Sequence, residues 1–175
     1  LSTIVHEAFH IARHGRPGPV VVDIPKDVQF EEALYTARAD AQKRNCIVTP
    51  AVNPFQIEQI VDLMRHAHRP VLYTGGGVIN SGPGASAALR DLARETGFPV
   101  TSTLMGLGAF PASDPQRLGM LGMHGSFEAN NAMHDCDLMI AIGARFDDRV
   151  TGRLDAFSPG SRKIHIDIDP SSINK

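Results

Sequence analysis

The sequence predicts an α/β fold in which a doubly wound, mostly parallel sheet carries helices on both faces. Short apolar segments alternate with longer segments of helical periodicity, which is the pattern of consecutive strand–helix–strand units. The predicted strands, such as Val71–Thr74, are nearly continuous apolar runs, as expected for parallel strands that are covered on both sides. Apolar residues make up 42% of the 175 residues and charged residues 21%, so general disorder is excluded.

The N-terminal segment predicts one helix and one strand. Apolar residues recur at helical spacing from Ser2 to His14, with Ser2 as the N-cap and Gly15 as the C-cap. Pro17 prevents the helix from continuing. Gly18–Asp23, with three consecutive valines, predicts a buried strand that ends at Pro25. Residues 1–29 are therefore expected to belong to one α/β domain.

Residues 30–52 are predicted to be a linker between two domains. The stretch is polar and charged, has no steady period and ends in the prolines Pro50 and Pro54. A short helix over Glu31–Ala39 is also compatible with its composition.

Residues 53–175 predict a second domain with a regular alternation of elements. Asn53 is a suitable N-cap with Pro54 at the first helical position, Gly97 is a suitable C-cap, and apolar runs define the strands. The predicted elements are the helix Pro54–His66, the strand Val71–Thr74, the turn Gly75–Gly77, the helix Pro83–Thr96, the strand Phe98–Ser102, the glycine-rich loop Thr103–Ser126, the helix Phe127–His134, and the strands Asp137–Ile142 and Lys163–Asp167.

Candidate binding residues follow the predicted strands, where ligands of such sheets bind. Gly75–Gly77 lies between a strand and a helix, so its backbone could approach a phosphate at a helix N-terminus. Asn80 occupies the third glycine position of a dinucleotide fingerprint, which weakens this interpretation. The alternative is a tight turn that requires positive φ angles.

Charged residues follow the last two predicted strands. Gly143–Arg149 holds two arginines and two aspartates that could bind phosphates and hydroxyls, or could simply pair with one another in a solvated loop. Asp167 suits a ribose or ribityl hydroxyl, although an acid at a strand end is also common without any function. Together with the glycine turn, these residues indicate a nucleotide-type ligand.

The sequence His6–His10 matches the HExxH zinc motif, with His14 one turn further along. A metalloprotease is disfavoured because no third ligand lies at a recognised downstream spacing and a buried strand follows directly. We interpret the segment as a helix with polar histidines and predict no metal site. His124, in the glycine-rich loop, is a further residue that could reach a ligand.

Composition and charge exclude several classes of partner. Lys plus Arg is 17 and Asp plus Glu is 19, and the resulting net charge of −2 gives no reason to expect nucleic acid or an anionic membrane. No apolar run is long enough to span a bilayer. The two widely separated cysteines, Cys46 and Cys136, predict a reducing compartment and no disulfide framework. We expect the chain to be a piece of a longer protein.

Six ordered sequence blocks resemble the large, catalytic subunit of the acetolactate synthase family, also called acetohydroxyacid synthase. They are Gly15–Gln29, Val71–Ser81, Thr101–Pro111, Leu121–Gly125, Gly143–Gly152 and Ile164–Pro170. The block around Gly15 also occurs more widely among thiamine diphosphate enzymes, whereas Thr101–Pro111 together with Gly143–Gly152 is more specific.

The resemblance implies three α/β domains in the parent chain. Residues 1–29 would end the pyrimidine-binding domain, and 53–175 would form the Rossmann-like middle domain. The third domain, which binds the diphosphate through Mg²⁺, and the glutamate that activates the thiamine lie outside the sequence. The fragment is therefore expected to be inactive alone.

The implied activity of the parent is condensation of two 2-keto acids on thiamine diphosphate. Pyruvate is decarboxylated and joined to pyruvate or 2-ketobutyrate in branched-chain amino-acid biosynthesis. The family also binds FAD, which has no redox role. Its members work as homodimers or tetramers, often with a small regulatory subunit. A cytoplasmic location of the bacterial type is expected, and organellar targeting stays open.

The resemblance also implies roles for individual residues. Lys26 and Arg149 are expected to position substrate, with Met123 and Asp148 nearby in the substrate channel, and Arg149 could pair with the carboxylate of the second keto acid. The expected FAD contacts are Arg16, Gly75, Gly76, Gly77, Thr103, Leu104, Leu121, Gly122, Met123, His124, Gly143, Ala144, Arg145, Asp147, Asp167 and Ile168.

Three alternatives remain open at the level of sequence. A sister carboligase that also keeps FAD, such as glyoxylate carboligase, fits the block Gly143–Gly152 equally well. A stand-alone nucleotide-binding module, for example for NAD, is disfavoured by Asn80. A structural middle domain with a decayed FAD site is disfavoured by the intact glycines and arginines.

Overall fold

The computed structural model describes residues 1–34 and 52–174. The chain divides into two compact units, Leu1–Ala51 and Val52–Lys175. Within residues 1–34, the described part of the first unit, lie two helices, α1 (Ser2–Arg13) and α2 (Lys26–Phe30). The predicted N-cap was wrong: α1 already includes Ser2, and Leu1 precedes it without a side-chain cap. His14 is the C-cap and extended, and Gly15 follows at φ 64°, a conformation that suits glycine.

The strand predicted over Gly18–Asp23 does not form in the described residues. The segment has no assigned secondary structure, and Val21 is 91% exposed. A strand needs a neighbouring backbone, and residues 1–34 contain no second strand to provide one. Most of the predicted linker 30–52 lies outside the described residues, and so does the helix proposed over Glu31–Ala39 beyond Leu34. Residues 31–34 are not helical.

The second unit alternates strands and helices much as predicted. Its strands are β1 (Pro70–Thr74), β2 (Val100–Ser102), β3 (Arg117–Met120), β4 (Leu138–Ile142) and β5 (Arg162–Ile166). Its helices are α3 (Pro54–His66), α4 (Gly76–Asn80), α5 (Pro83–Thr96), α6 (Phe127–Asp135) and α7 (Asp148–Thr151). The predicted caps are confirmed: the Asn53 side chain accepts the Phe55 N–H at 3.0 Å, and Gly97 ends α5 at φ 72°.

The five strands form one parallel sheet in the order β3-β2-β1-β4-β5. Thr74 lies opposite Ser102 on one side and Ile142 on the other, and Ile142 lies opposite Ile166. The carboxyl ends of the strands therefore share one edge, called the carboxyl edge below. The chain reverses its winding direction between β1 and β4, which is where open α/β sheets form a crevice.

Each face of the sheet packs against its own apolar cluster. Leu72, Ile140 and Ile164 point to one face, where α4 and α5 contribute buried residues and α3 contributes half-buried ones. Tyr73 and Met139 point to the other face, where they meet Ala129 and Met133 of α6. The predicted α/β fold with helices on both faces is thus confirmed.

Several short elements were missed by the sequence analysis, among them α2, α4, α7 and β3. The predicted loop Thr103–Ser126 contains β3 and a 3-10 turn at Leu104–Gly106. β3 begins with an exposed arginine, has a glycine at φ 102° and pairs with only one neighbour, so it lacks an apolar run. The five-residue helix α4 is too short to show a period. Among the described residues, no helix has both the length and the apolar character needed to cross a bilayer.

Candidate functional site

Backbone hydrogen bonds hold three strand ends together at the carboxyl edge. The Gly75 N–H donates to the Ile142 carbonyl at 3.0 Å, and the Gly77 N–H donates to the Gly143 carbonyl at 2.9 Å. The Gly143 N–H donates in turn to the Ile166 carbonyl at 2.8 Å. The ends of β1, β4 and β5 are therefore one hydrogen-bonded surface.

Glycine is required in this surface mainly because two backbones touch. A Cβ on Gly75 would lie 2.6 Å from the Ala144 Cα, and one on Gly77 would lie 2.6 Å from the Gly143 Cα. Gly75 has φ −117°, and Gly76 and Gly77 also avoid positive φ, so a turn that requires positive φ was the wrong explanation for these three glycines. Gly143 alone of this group is left-handed, at φ 59°.

The charged segment after β4 is partly paired, and its two arginines are exposed. Arg145 Nη2 lies 2.8 Å from Asp147 Oδ2, in a pair whose side chains are 59% and 32% exposed. Asp147 also caps α7 by accepting the Arg149 N–H at 3.2 Å. A hydrogen bond with the Asp148 side chain, followed by that of the Arg149 N–H, holds the pKa of Asp147 below its ordinary value. In the described part of the chain, the exposed Arg149 side chain makes no ion pair.

Asp167 lies at the end of β5 beside a histidine that the sequence analysis did not select. Its side chain is 13% exposed, accepts the Asp169 N–H at 2.8 Å and lies 3.8 Å from His165 Nε2. The same Nε2 bonds the Ala144 carbonyl at 2.9 Å. His165 thereby links β5 to the segment after β4. Its spacing of two from Asp167, which places both on one face of a strand, was the available signal.

The loop after β3 lies against α7. The Met123 N–H donates to the Arg149 carbonyl at 2.9 Å, and Gly122 stands at φ 97°. Leu121 is buried, whereas the side chains of Met123 and His124 face outward. The Met123 backbone is thus held against that of Arg149, and the roles of Met123 and His124 toward a ligand stay predictions.

Apolar side chains are exposed after β2 and β5. Thr103 accepts the Gly106 N–H at 3.0 Å and so fixes the 3-10 turn that presents Leu104, which is 68% exposed. Met105 beside it is 75% exposed, and Ile168 after β5 is 45% exposed. The carboxyl edge therefore offers apolar contact area together with its charges.

Two residues of the predicted site lie in the first unit. Arg16 follows α1, and Lys26 begins α2 with its Nζ 5.8 Å from the centroid of the Phe30 ring. Their roles toward the second unit stay predictions.

Two cavities lie at the opposite end of the sheet, the amino edge. One, of about 520 Å³, is lined by residues that include His68, Phe98 and Asp135. The other, of about 410 Å³, is lined by residues that include His66 and Arg162. At the carboxyl edge, the side chains of Arg145, Arg149 and Leu104 are exposed.

The histidines of α1 do not form a metal centre. His6 Nδ1 bonds the Ser2 carbonyl at 2.8 Å, and His14 Nδ1 bonds the His10 carbonyl at 2.7 Å. Across residues 1–34 and 52–174, no three His, Cys, Asp or Glu side chains come together in a way that could hold a metal ion.

Residues 57–175 match the family described as thiamine pyrophosphate enzyme, central domain. The chain belongs to the thiamine pyrophosphate enzymes. The match covers the whole β1–β5 sheet and ends with the segment that carries Asp167. Membership of this family is consistent with the fold described above.

The chain is also similar to curated proteins over nearly all of its length. It is 47% identical over 181 residues to an acetolactate synthase large subunit from Cyanidium caldarium, covering 100% of this chain and 30% of the relative. It is 52% identical over 171 residues to the large subunit from Corynebacterium glutamicum, covering 97% and 27%. It is 46% identical over 177 residues to the one from Haemophilus influenzae, covering 100% and 30%. The resemblance found in the sequence is confirmed, and the chain spans less than a third of these relatives.

Proposed function

We propose that this chain is the middle part of an acetolactate synthase large subunit and that it binds FAD, in a non-redox role, at the carboxyl edge of its sheet. One observation carries the proposal. Arginines, an acid and exposed apolar side chains converge where β1 and β4 reverse the winding of the sheet. Ligands of open α/β sheets bind at this position.

The residue types suit the parts of FAD. Arg145 is exposed and can bind the pyrophosphate, because a guanidinium matches phosphate oxygens. Asp167, after β5, can accept hydroxyl hydrogens of the ribose, a role that strand-end acids take in dinucleotide-binding sheets. Leu104 and Met123 offer apolar surface for the flavin ring.

Thiamine diphosphate and Mg²⁺ do not fit the described residues. Mg²⁺ prefers a set of carboxylate and other oxygen ligands, and the described part of the chain brings no three acidic or other metal-binding side chains together. We therefore place their sites in the rest of the proposed parent chain. When bound there, thiamine diphosphate supplies the chemistry that decarboxylates a 2-keto acid.

Within this activity, Arg149 and Lys26 would orient substrate. The Arg149 backbone is fixed by the Asp147 cap and the Met123 N–H, whereas its guanidinium is exposed. A fixed backbone with an exposed guanidinium suits a residue that binds the carboxylate of the second keto acid.

The exposure of the proposed ligand contacts bears on the isolated chain. Ligand sites usually bury most of their ligand, whereas Arg145, Arg149 and Leu104 are exposed at the carboxyl edge. We therefore expect the isolated chain to bind FAD weakly and to be inactive. The parent would work in the cytoplasm as a homodimer or tetramer on pyruvate and 2-ketobutyrate, with a small regulatory subunit.

A fluorescence titration of the chain with FAD, with NAD as the control ligand, tests the proposal. Quenching by FAD without binding of NAD supports it. Binding of NAD without FAD would replace it with a general nucleotide module. If neither binds, the same titration on a chain that carries all three proposed domains decides, and failure there would refute the flavin site.

A further inference from the structure

The side-chain amide of Asn130, on α6, hydrogen-bonds to the loop that carries Met123 and His124. Asn130 Oδ1 accepts the Gly122 N–H at 2.8 Å, and Asn130 Nδ2 donates to the Gly122 carbonyl at 3.0 Å. One amide thus satisfies both backbone groups of one residue. The pairing also fixes the orientation of the amide, because its oxygen must face the N–H and its nitrogen the carbonyl.

Gly122, the residue bonded by this amide, is the point where the loop touches α7. A Cβ on Gly122 would lie 2.7 Å from the Arg149 carbonyl oxygen and 3.1 Å from the Val150 Cα. That same carbonyl accepts the Met123 N–H at 2.9 Å. The position of Gly122 therefore determines how closely the loop approaches the backbone of Arg149.

The helix that holds the amide is anchored in the core. The Ser126 side chain caps α6 by accepting the Ala129 N–H at 3.2 Å, and Ala129 and Met133 are buried against β1 and β4. The loop also has a hydrogen bond of its own, from the Gly125 N–H to the Gly122 carbonyl at 2.9 Å. That bond closes the turn, and the Ser126 N–H, at the start of α6, donates to the Met120 carbonyl at 2.8 Å and so closes the base of the loop. Asn130 connects Gly122, within the loop, to the body of α6.

We propose that Asn130 is a positioning residue that sets the loop Leu121–Gly125, and through it the backbone of Arg149, in the geometry that binds FAD and the second keto acid. It touches neither ligand in this account and acts through Gly122. The inference rests on the proposed function, because the loop and Arg149 are proposed ligand contacts. The hydrogen bonds between Asn130 and Gly122, however, can be tested without any ligand.

The neighbouring Asn131 offers matched controls, because it is exposed on the same helix and has the same side chain. The test compares Asn130→Ala and Asn130→Asp with Asn131→Ala and Asn131→Asp in the chain that carries all three proposed domains. Asn130→Asp keeps the volume and the acceptor but turns an oxygen toward the Gly122 carbonyl. Asn131→Asp adds the same charge one residue away. A role in packing alone would be affected by the Ala variant and spared by the Asp variant.

The first readout is amide hydrogen exchange at Gly122 and Met123. Both Asn130 variants should exchange roughly tenfold faster at these two amides, and both Asn131 variants should match the wild type. Unchanged exchange in the Asn130 variants would refute the claim that Asn130 holds the loop, whether or not FAD binds.

The second readout is the dissociation constant of FAD together with KM for the second keto acid. Both Asn130 variants should raise these constants by about tenfold, which is the effect of losing one to two hydrogen bonds. Faster exchange with unchanged constants would overturn the positioning role. A wild-type protein that binds no FAD would instead refute the proposed function. The exchange experiment would still decide whether Asn130 holds the loop.

Discussion

The two edges of the sheet use similar polar groups in different ways. At the amino edge, the Asp137 carboxylate accepts the N–H groups of His68 and Arg69 at 2.7 and 2.9 Å. These bonds attach the residues just before β1 to the residue just before β4. At the carboxyl edge, backbone-to-backbone contacts join the strand ends, and the guanidiniums of Arg145 and Arg149 are exposed. The charge of Asp137 thus has a structural role. Because glycine contacts join the strands at the carboxyl edge, the charges of its arginines are available to a ligand.

The largest effect is expected from a side chain placed between the strand ends. Gly75→Ala puts a Cβ against the Gly143 carbonyl and the Ala144 backbone, neither of which can move without shifting β4. The free energy of unfolding should fall by about 3 kcal/mol or more. Urea unfolding measures it.

Gly84→Ala is the matched control for this substitution. Nothing lies within 4 Å of a Cβ at Gly84, which is in the first turn of α5. The free energy of unfolding should be unchanged or rise by up to about 1 kcal/mol. A similar loss in both variants would contradict the idea that the carboxyl edge depends on close backbone contact.

Arg149→Ala tests whether the carboxyl edge binds substrate. In the three-domain chain, KM for the second keto acid should rise about 10- to 100-fold, because a charged hydrogen-bonding partner of a carboxylate is lost. The affinity for FAD should change less. Arg153→Ala, which removes one side of an exposed pair with Asp155 at 2.8 Å, should leave both constants near the wild type. Equal losses of substrate and FAD affinity in Arg149→Ala would refute a specific substrate role.

Asp137 makes the amino edge sensitive to acid. The hydrogen bonds from His68 and Arg69 lower the pKa of Asp137 below its ordinary value. A carboxyl with a lowered folded-state pKa contributes stability above its unfolded pKa, near 4, and that stability is lost as the pH falls through the folded-state value. Asp137→Asn should lower the melting temperature slightly at neutral pH and flatten its decline below about pH 4, while FAD affinity stays unchanged. A loss of FAD affinity would show that the two edges are coupled.

The smallest effect is expected at Tyr73, which lies in the core between the two edges. Its hydroxyl is buried and has no hydrogen-bond partner among the described residues. Burial, and secondarily the charge of Asp147, raises the pKa of Tyr73 and keeps the hydroxyl protonated. Tyr73→Phe removes an unsatisfied group, so the free energy of unfolding should change by less than about 0.5 kcal/mol or increase. A clear loss of stability on urea unfolding would show that the hydroxyl has a partner.

The fold was predictable where local sequence carried the signal. Asn53 and Pro54 defined the start of α3, and the apolar runs defined β1 and β4, because caps and buried strands are encoded within a few residues. β3 was not predictable, since it depends on pairing with β2 rather than on its own composition. The strand at Gly18–Asp23 failed for the converse reason, because an apolar run without a neighbour makes no ladder.

The residue types of the candidate site were predictable from the sequence, but the contacts that hold those residues in place were not. Gly75, Gly77 and Gly143 were selected because they follow strands, yet the structure shows that they allow two strand ends to touch. Asn130 and His165 were missed because their partners are backbone groups of Gly122 and Ala144, 8 and 21 positions away. Such contacts exist only after the sheet has formed.

The most direct test of the account is a map of amide chemical shifts on addition of FAD to the chain. The account predicts shifts at the carboxyl edge, at Gly75, Gly77, Gly143 and the loop Leu121–Gly125. It predicts none at His68, Arg69 or Gly97, which line a cavity at the amino edge. Shifts confined to the amino edge would contradict the claim that the exposed charges after β4 and β5 form the nucleotide site.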